Sequence, residues 1–244
     1  GFAELARRLP IALLAVDEAH CISQWGNDFR PSYLRIADFI RGLPTRPVVA
    51  AFTATATEQV RRDIEEKLEM RAPLRVVTGF DRPNLRFEVL RPRQRPAALL
   101  ELVEKRRGKS GIIYCLTRSN VEKVCALLRA HGVPATRYHA GLSDAERQRN
   151  QEDFVYDRCP VIAATNAFGM GIDKSNVSYV IHYNMPMSLE AYYQEAGRAG
   201  RDGAPAECLL LYARSDVQTA KMLIDSTEGD AGDGETRETM RRRA

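Results

Sequence analysis

The sequence predicts an α/β fold in which parallel sheets are covered by helices. From about residue 83, short apolar runs alternate with helix-length amphipathic segments, and near the start an apolar run at residues 13–16 leads directly into two carboxylates. Such alternation indicates βαβ units, and an uninterrupted apolar run is typical of a strand buried on both faces in a parallel sheet. The 244 residues, 44% of them hydrophobic, are enough for one large or two small domains.

The first predicted domain covers residues 1–82. Its expected elements are a helix at 2–9, a strand at 11–16, a helix at 34–42, a strand at 48–52, a helix at 58–70 and a strand at 74–77. Thr57 lies where its hydroxyl can cap the third helix. Residues 21–33 combine aromatic residues with polar residues, glycine and proline, which is typical of an ordered loop.

The second predicted domain covers residues 83–216. Its expected strands lie at 85–90, 111–115, 135–138, 161–164, 179–182 and 208–212, and its helices at 97–106, 120–131, 144–155 and 189–198. Residues 217–244 are expected to begin a further helical region and to be mobile, because they contain few large apolar residues.

Composition narrows the function without naming it. The formal net charge of +4 permits a nucleic-acid partner, and basic residues such as Arg95 and Arg106 are either phosphate contacts or part of a solvated face. No apolar run approaches the roughly 20 residues that cross a bilayer. Five scattered cysteines without a C-x-x-C pair indicate reduced thiols in a cytosolic protein and no zinc site in this segment. Because the chain starts at Gly1 without a methionine, we expect a piece of a longer protein.

The first candidate site is the pair Asp17 and Glu18, followed by Ala19 and His20, at the end of the first predicted strand. Open α/β sheets bind their ligands at the carboxyl ends of strands. One carboxylate can hold Mg²⁺ while its neighbour orients a water, which is the arrangement used in phosphoryl transfer from a nucleoside triphosphate. The alternative is an acidic turn without function.

Two further segments contain groups suited to a nucleotide. Arg198 and Arg201 are flanked by glycines at the end of the helix predicted at 189–198, where both point to one side and suit the charge of a γ-phosphate. In residues 163–173, two glycines allow close backbone approach to a ligand, and Asp173 can accept from a ribose hydroxyl or an arginine. The alternatives are a solvated basic helix end and a purely structural turn.

Eight segments, in the same order along the chain, resemble the motifs of the RecQ family of DNA helicases, a branch of superfamily 2. They are D-E-A-H at 17–20, S-Q-W-G-N-D-F-R-P-S-Y at 23–33, A-F-T-A-T-A-T at 51–57, F-D-R-P-N-L at 80–85, G-I-I-Y-C-L-T-R at 111–118, Y-H-A-G-L at 138–142, A-T-N-A-F-G-M-G-I-D-K at 164–174 and Y-Y-Q-E-A-G-R-A-G-R-D-G at 192–203. The resemblance covers about residues 13–216. It implies two RecA-like parallel-sheet domains, the first truncated at its N-terminus and the second nearly complete.

The resemblance also implies a role for each matching residue. Asp17 would hold Mg²⁺ through water, Glu18 would activate the attacking water, and His20 would link the nucleotide site to the aromatic loop. The residues implied to sense DNA and couple it to hydrolysis are Gln24, Trp25, Asn27, Phe29, Arg30, Thr53 and Thr55. Arg201 would be an arginine finger supported by Arg198 and Gln194, and the residues implied to contact the nucleotide are Asp17, Gly171, Asp173, Arg198 and Arg201.

Three departures limit what is carried over. Asn27 stands where the family usually has histidine, and an asparagine cannot titrate. The sequence contains no G-x-x-x-x-G-K-[ST] motif, so the phosphate-binding loop is expected upstream of Gly1 and this piece alone is expected to be inactive. The family's zinc-binding and winged-helix regions are expected downstream of Ala244, so Zn²⁺ is expected only there.

The implied activity is that of an ATP-dependent 3′–5′ DNA helicase that serves repair or recombination in the bacterial cytoplasm. Its implied cofactors are ATP and Mg²⁺, and its implied partners are single-stranded and duplex DNA, with no membrane. Protein partners, oligomeric state and pathway stay open. Two alternatives remain at this point: an RNA helicase of the DEAD/DEAH type, and a non-catalytic fragment that binds nucleic acid or a protein.

Overall fold

The computed structural model describes residues 1–25, 29–77, 81–169 and 172–228, with side chains up to residue 222 in the last range. Asn27, Gly171 and the tail after residue 228, which was expected to be mobile, lie outside the described residues. The chain divides into two compact units, Gly1–Phe80 and Asp81–Ala244. Within the described ranges, no helix is both long enough and apolar enough to cross a membrane.

The first unit contains a two-stranded parallel sheet. Its elements are α1 (Phe2–Ala6), β1 (Leu13–Val16), a 3₁₀ turn (Ala19–Ile22), α2 (Pro31–Arg41), β2 (Val48–Ala51) and α3 (Glu58–Lys67). Leu13 pairs with Val48 and Val16 with Ala51. The Thr57 hydroxyl accepts a hydrogen bond from the N–H of Val60 at 3.3 Å, so the predicted N-cap of α3 is confirmed.

Two expectations for the first unit are wrong. Residues 74–77 form no strand, and the side chains of Leu74, Val76 and Val77 are exposed. A strand needs a hydrogen-bonded neighbour, and none of the described strands pairs with this segment. The strand β1 is not buried on both faces, because Leu13 is exposed and only Val16 is buried, beside the core formed by the 3₁₀ turn and α3.

The second unit contains a six-stranded sheet whose strand pairs are all parallel. Its elements are β3 (Leu85–Leu90), α4 (Arg95–Glu104), β4 (Ser110–Tyr114), α5 (Arg118–Ala130), β5 (Ala135–Tyr138), α6 (Asp144–Val155), β6 (Val161–Ala164), β7 (Val177–His182), α7 (Leu189–Ala196), β8 (Ala206–Leu211) and α8 (Arg214–Glu228). The predicted α/β class with parallel strands is therefore confirmed.

The order of strands in this sheet is β3-β8-β7-β4-β6-β5. From β4 the chain runs to the edge strand β5 and back to β6 on one side, and then crosses to β7 and β8 on the other side, where β8 pairs with β3. Parallel sheets bind ligands at such a switch point, outside the carboxyl ends of the strands. The segments that follow β4, β6 and β7 therefore meet where a ligand is expected. Two apolar cores, one on each face of the sheet, hold these strands rigidly.

Candidate functional site

Two carboxylates lie at the carboxyl end of β1. Asp17 is exposed, and its Oδ1 accepts a hydrogen bond from the backbone N–H of Glu18 at 2.8 Å. Glu18 has left-handed backbone angles, with φ 48° and ψ 41°. A non-glycine residue in this region is strained and persists only where the surroundings determine it. The N–H of Ala19 donates to the carbonyl oxygen of Phe52 at 2.9 Å, so the segment after β2 holds the strained turn in place.

The Glu18 side chain has one oxygen that makes no hydrogen bond within the described residues at this turn. Its Oε2 is buried without a hydrogen-bond partner among the described residues and lies 3.4 Å from Nδ1 of His20. A buried carboxylate oxygen without a partner is unfavourable, and the carboxylates of Asp17 and Glu18 are the hard oxygen ligands that Mg²⁺ prefers. The residues present therefore fit a Mg²⁺ ion bound through one or two carboxylates and water.

His20 connects this turn to the segment after β2. Its Nδ1 lies 2.8 Å from the hydroxyl oxygen of Thr53. The Thr53 hydroxyl donates to the carbonyl oxygen of Thr55 at 3.0 Å, so its one hydrogen is already used. Nδ1 of His20 therefore carries the hydrogen and donates it to Thr53. The imidazole of His20 is nearly fully buried, which fixes this orientation.

The loop predicted at residues 21–33 is shorter in the structure, because residues 21–22 belong to the 3₁₀ turn and residues 31–33 begin α2. A buried hydrogen-bond cluster anchors this segment, called the aromatic loop, to α3. The Ser23 hydroxyl donates to Oδ2 of Asp63 at 2.5 Å and accepts from the N–H of Trp25 at 3.2 Å. Asp63 also accepts from Gln59, and Lys67 lies 3.6 Å from it. Although burial by itself raises the pKa of Asp63, the Ser23 hydrogen bond and the Lys67 charge hold it below its usual range.

The loop residues implied to contact DNA lie at the surface next to this anchor. Gln24 is exposed. Trp25, the only tryptophan of the chain, is 55% exposed. Phe29 and Arg30 are partly exposed, and the N–H of Arg30 donates to the carbonyl oxygen of Cys21 at 2.9 Å. An exposed indole on a fixed backbone is a suitable stacking surface for a base.

In the second unit, the arginine segment (residues 197–203) follows α7. The helix ends at Ala196, so the helix predicted to reach Arg198 is two residues too long and both arginines lie beyond its end. The structure still brings both side chains to one loop, because Nη1 of Arg198 donates to the carbonyl oxygen of Gly169 at 2.5 Å and Nη1 of Arg201 to that of Ile172 at 2.9 Å. Gln194 lies half-buried in the last turn of α7.

Glycines allow this arrangement. Gly200 has a φ of 57°, and a Cβ there would lie 2.5 Å from Nδ2 of Asn84. Asn84 donates to the carbonyl oxygens of Gly200 and Ala204, both at 2.9 Å, and Arg82 donates to that of Gly200 at the same distance. A Cβ at Gly169 would collide with the guanidinium of Arg198.

The two arginines influence each other electrostatically. Burial and the charge of Arg198 lower the pKa of Arg201, while Asp173 acts in the opposite direction. The guanidinium stays charged at any physiological pH because its ordinary pKa is above 12. The proximity of two cations at a carboxyl edge of the sheet favours a bound anion.

Three residues of this region received no role from the sequence. The Tyr114 hydroxyl, whose pKa burial raises, donates to the carbonyl oxygen of Phe168 at 3.1 Å. His182 and Glu195 form a buried pair, with 2.9 Å between Nε2 and Oε2. Tyr114 and Glu195 lie inside two of the eight segments that resemble family motifs. That position was the only indication in the sequence that they could have a role. His182 lies outside those segments and only its apolar surroundings in the strand indicated burial.

No cluster of three or more histidine, cysteine, aspartate or glutamate side chains that could hold a metal occurs in the part of the chain that the structure describes. The five cysteines are free thiols, and all except Cys159 are buried.

Comparison with known families defines the class of protein. Residues 6–63 match the DEAD/DEAH box helicase family, and residues 94–203 match the family described as helicase conserved C-terminal domain. These matches contain the carboxylate turn and the arginine segment, respectively. The chain is therefore part of the core of a superfamily 2 helicase.

Comparison with individual proteins identifies the branch. The chain is 45% identical over 227 residues to the ATP-dependent DNA helicase RecQ of Bacillus subtilis, a match that covers 93% of this chain and 38% of that protein. It is 44% identical to RecQ of Pasteurella multocida, a match that covers 93% of this chain and 36% of that protein. It is 45% identical to the ATP-dependent DNA helicase hus2/rqh1 of Schizosaccharomyces pombe, a match that covers 97% of this chain and 18% of that protein. The chain belongs to the RecQ family and spans less than two fifths of these relatives.

The solved structures agree on the fold. Dbp5 of Saccharomyces cerevisiae bound to RNA and ADP BeF3 matches with a TM-score of 0.68 and 22% identity, covering 94% of this chain and 61% of that chain. A Dbp5 variant bound to a Gle1 variant and IP6 matches with a TM-score of 0.70 and 20% identity, covering 98% and 66%. Both units thus have the RecA-like parallel-sheet fold of helicase cores.

Proposed function

We propose that this chain is part of an ATP-dependent 3′–5′ DNA helicase motor, in which ATP hydrolysis drives movement along single-stranded DNA and duplex unwinding. The observation that supports the proposal best is the strained Glu18, which lies beside Asp17 at the carboxyl end of β1 and whose buried Oε2 has no hydrogen-bond partner in the described part of the chain. Strain and an unsatisfied carboxylate oxygen concentrated at one turn are typical of a catalytic position.

In the first unit, each polar residue of the turn has a distinct task. Asp17 would hold Mg²⁺, and Glu18 orients and deprotonates the attacking water. Bound Mg²⁺ supplies charge neutralisation of the phosphates. His20 is fixed by its hydrogen bond to Thr53. It transmits a conformational change at the carboxylate turn to the segment that contains Thr55.

In the second unit, the arginine segment acts on the phosphate. Arg201 stabilises the charge that develops on the transferring γ-phosphoryl group, and Arg198 and Gln194 support it. The hydrogen bond of Arg201 to Ile172 uses one of the five guanidinium donors, which leaves donors suited to phosphate oxygens. Asp173 lines the nucleotide next to these arginines, and Gly171, which lies outside the described residues, is assigned to the nucleotide from the sequence alone.

The aromatic loop senses single-stranded DNA. The exposed ring of Trp25 stacks on a base, with Gln24, Phe29 and Arg30 alongside. Asn27, outside the described residues, is assigned to the same task from the sequence alone. Ser23 and Asp63 hold the loop on a rigid helix, so that contact with DNA is transmitted through Cys21 and His20 to the carboxylate turn. The compartment in this proposal is the bacterial cytoplasm, and bacterial proteins are among the RecQ relatives.

One experiment separates this proposal from its alternatives. ATP hydrolysis is measured without nucleic acid, with single-stranded DNA and with RNA of the same sequence, in a form of the protein that contains a phosphate-binding loop. We expect strong stimulation by DNA, little by RNA, and unwinding only of duplexes with a 3′ tail. Preference for RNA would favour the DEAD/DEAH alternative, and binding without hydrolysis the non-catalytic one.

The matched variant is Glu18→Gln, which preserves shape but removes the general base. A positioned general base contributes about 10²–10⁴-fold to a rate, so hydrolysis is expected to fall by that factor while ATP still binds. Unchanged hydrolysis would remove Glu18 from the mechanism. We also propose that the 244 residues alone hydrolyse little ATP, since they contain no G-x-x-x-x-G-K-[ST] motif. Robust turnover by the isolated chain would contradict that proposal.

A further inference from the structure

A buried histidine–carboxylate pair lies under the start of the arginine segment. His182 is the last residue of β7 and its side chain is 1% exposed, while that of Glu195, in the last turn of α7, is 12% exposed. Their Nε2 and Oε2 atoms are 2.9 Å apart. Carboxylate oxygens accept, so Nε2 of His182 carries the hydrogen. Away from water such a charge-assisted hydrogen bond is strong and directional.

Aromatic rings hold the imidazole in place. The ring of Tyr114 stacks on it with 5.5 Å between centroids, and the ring of Tyr192 meets it edge-on at 4.8 Å. The Tyr114 hydroxyl donates to the carbonyl oxygen of Phe168, and the next carbonyl, that of Gly169, accepts the guanidinium of Arg198. The same cluster therefore orients the pair and the carbonyl group that receives Arg198.

The arginine segment is tied down differently at its two ends. At its far end, the N–H of Gly200 donates to the carbonyl oxygen of Val177 at 2.8 Å, and Arg82 binds the carbonyl oxygen of Gly200. At its near end, the N–H of Gly197 donates to Tyr193 at 2.8 Å and that of Arg198 to Glu195 at 3.3 Å, both in the last turn of α7. Arg82 adds a longer hydrogen bond to the carbonyl oxygen of Gly197, at 3.5 Å. The placement of the near end therefore depends mainly on the last turn of α7.

The other ring nitrogen of His182, Nδ1, indicates the role of the His182–Glu195 pair. Nδ1 is buried without a hydrogen-bond partner among the described residues, which costs stability. An apolar residue at the end of β7 would fill the same space without this cost. The hydrogen bond to Glu195 is the contribution that only the imidazole makes.

We propose that His182 and Glu195 are positioning residues that place Arg198 and Arg201 for phosphate by fixing the last turn of α7 on β7. This inference rests on the proposed ATP hydrolysis. Neither side chain touches the nucleotide, and both act through the arginine segment. Loss of the pair loosens the near end of the segment, where Arg82 keeps only a 3.5 Å hydrogen bond to Gly197, while the anchors at Gly200 keep the far end in place.

The first test measures hydrogen exchange in the 244-residue chain. In Glu195→Ala and His182→Ala, the amides of Gly197 and Arg198 are expected to exchange about tenfold faster or more, because the local opening that exposes them becomes easier. Glu195→Gln keeps an acceptor for Nε2–H and is expected to stay near the unmodified chain. His131→Ala removes an exposed histidine and serves as control. Unchanged exchange in both alanine variants would overturn the proposal.

The second test measures steady-state hydrolysis in a form that contains a phosphate-binding loop. Misplacement of a catalytic group by about 1 Å costs about 10²-fold, so kcat is expected to fall by roughly that factor in the alanine variants, with little change in KM for ATP and with recovery in Glu195→Gln. Faster exchange with unaltered kcat would show a purely structural pair and overturn the proposal. An unmodified protein without DNA-dependent hydrolysis would instead overturn the proposed function, so the two failures are distinguishable.

Discussion

Removal of the Asp216 carboxylate is expected to destabilise the second unit severely. Asp216 lies in the first turn of α8 and is 2% exposed. Its Oδ2 lies 2.7 Å from Nη2 of Arg95, whose side chain is also largely buried. Its two oxygens also accept hydrogen bonds from Nδ2 of Asn184 and from the N–H groups of Met185 and Ala213, at 3.0–3.3 Å. The carboxylate thus joins α8 to α4 and to the segments after β7 and β8.

The magnitude follows from these contacts. In Asp216→Ala, Arg95 becomes a buried charge without its partner, and breaking such a pair costs about 3–5 kcal/mol. Urea unfolding slopes for domains of this size are about 2 kcal/mol per M, so the midpoint is expected to fall by roughly 2 M. Asp216→Asn keeps an acceptor but loses the charge, and it is expected to cost less.

The positions of the aromatic residues allow the stability of each unit to be measured separately. Trp25, the only tryptophan, lies in the first unit, whereas eight of the nine tyrosines lie in the second. In Asp216→Ala, the urea midpoint measured by tyrosine circular dichroism is expected to fall. Tryptophan fluorescence reports the unfolding of the first unit. A fall of less than about 1 kcal/mol in the free energy of unfolding of Asp216→Ala would refute the reasoning, since surface substitutions have effects of that size or smaller.

Four further outcomes are expected. Because the folded-state pKa of Asp63 is lowered from 3.8, its contribution to stability is present above about pH 4 and is lost as pH falls through the folded-state value; Trp25 fluorescence should show the loop loosening there, and the same acid transition in Asp63→Asn would contradict this. Gly200→Ala should destabilise the second unit by more than the about 1–2 kcal/mol that left-handed backbone costs an alanine. Gly203→Ala, with a positive φ but open space around it, is the control, and equal losses would exclude the contact with Asn84. Trp25→Ala should abolish DNA stimulation of ATP hydrolysis while Trp25→Phe retains part of it, because stacking contributes about 1–3 kcal/mol per base; equal stimulation in both would exclude stacking. Arg201→Ala should lower hydrolysis by about 10³–10⁵ and spare ATP binding, and complete loss of binding would contradict its assignment.

Elements that depend on local periodicity could be predicted well. The strands at 85–90, 135–138 and 161–164 and the helix at 144–155 have the predicted bounds. The apolar run at 161–164 is buried throughout, and the helix at 144–155 begins where the Ser143 hydroxyl caps it. The strand expected at 74–77 failed because pairing depends on a neighbour elsewhere in the chain, and no local pattern contains that information.

The end of α7 shows a subtler limit. The helical pattern continues to Arg198, but the chain leaves the helix after Ala196 and turns sharply at Gly200. The reason is distant in sequence, since Arg82 and Asn84 bind the carbonyl oxygen of Gly200. The glycines indicated an unusual backbone, but only those contacts determine which one.

The basic residues show most clearly why site assignment needs the fold. For Arg95 and Arg106 the sequence left two interpretations, a phosphate contact or a solvated face, and neither describes them. Arg95 pairs with Asp216, and Nε of Arg106 lies 2.8 Å from Glu207, with both guanidinium groups largely shielded from water. Arg201 is equally basic in sequence, yet its hydrogen bond goes to a backbone carbonyl, and the nearby charges of Arg198 and Asp173 act on it in opposite directions. A charged side chain becomes a candidate for catalysis when the fold compensates its charge only in part. The degree of compensation depends on the surrounding residues, which the sequence around the charged residue does not specify.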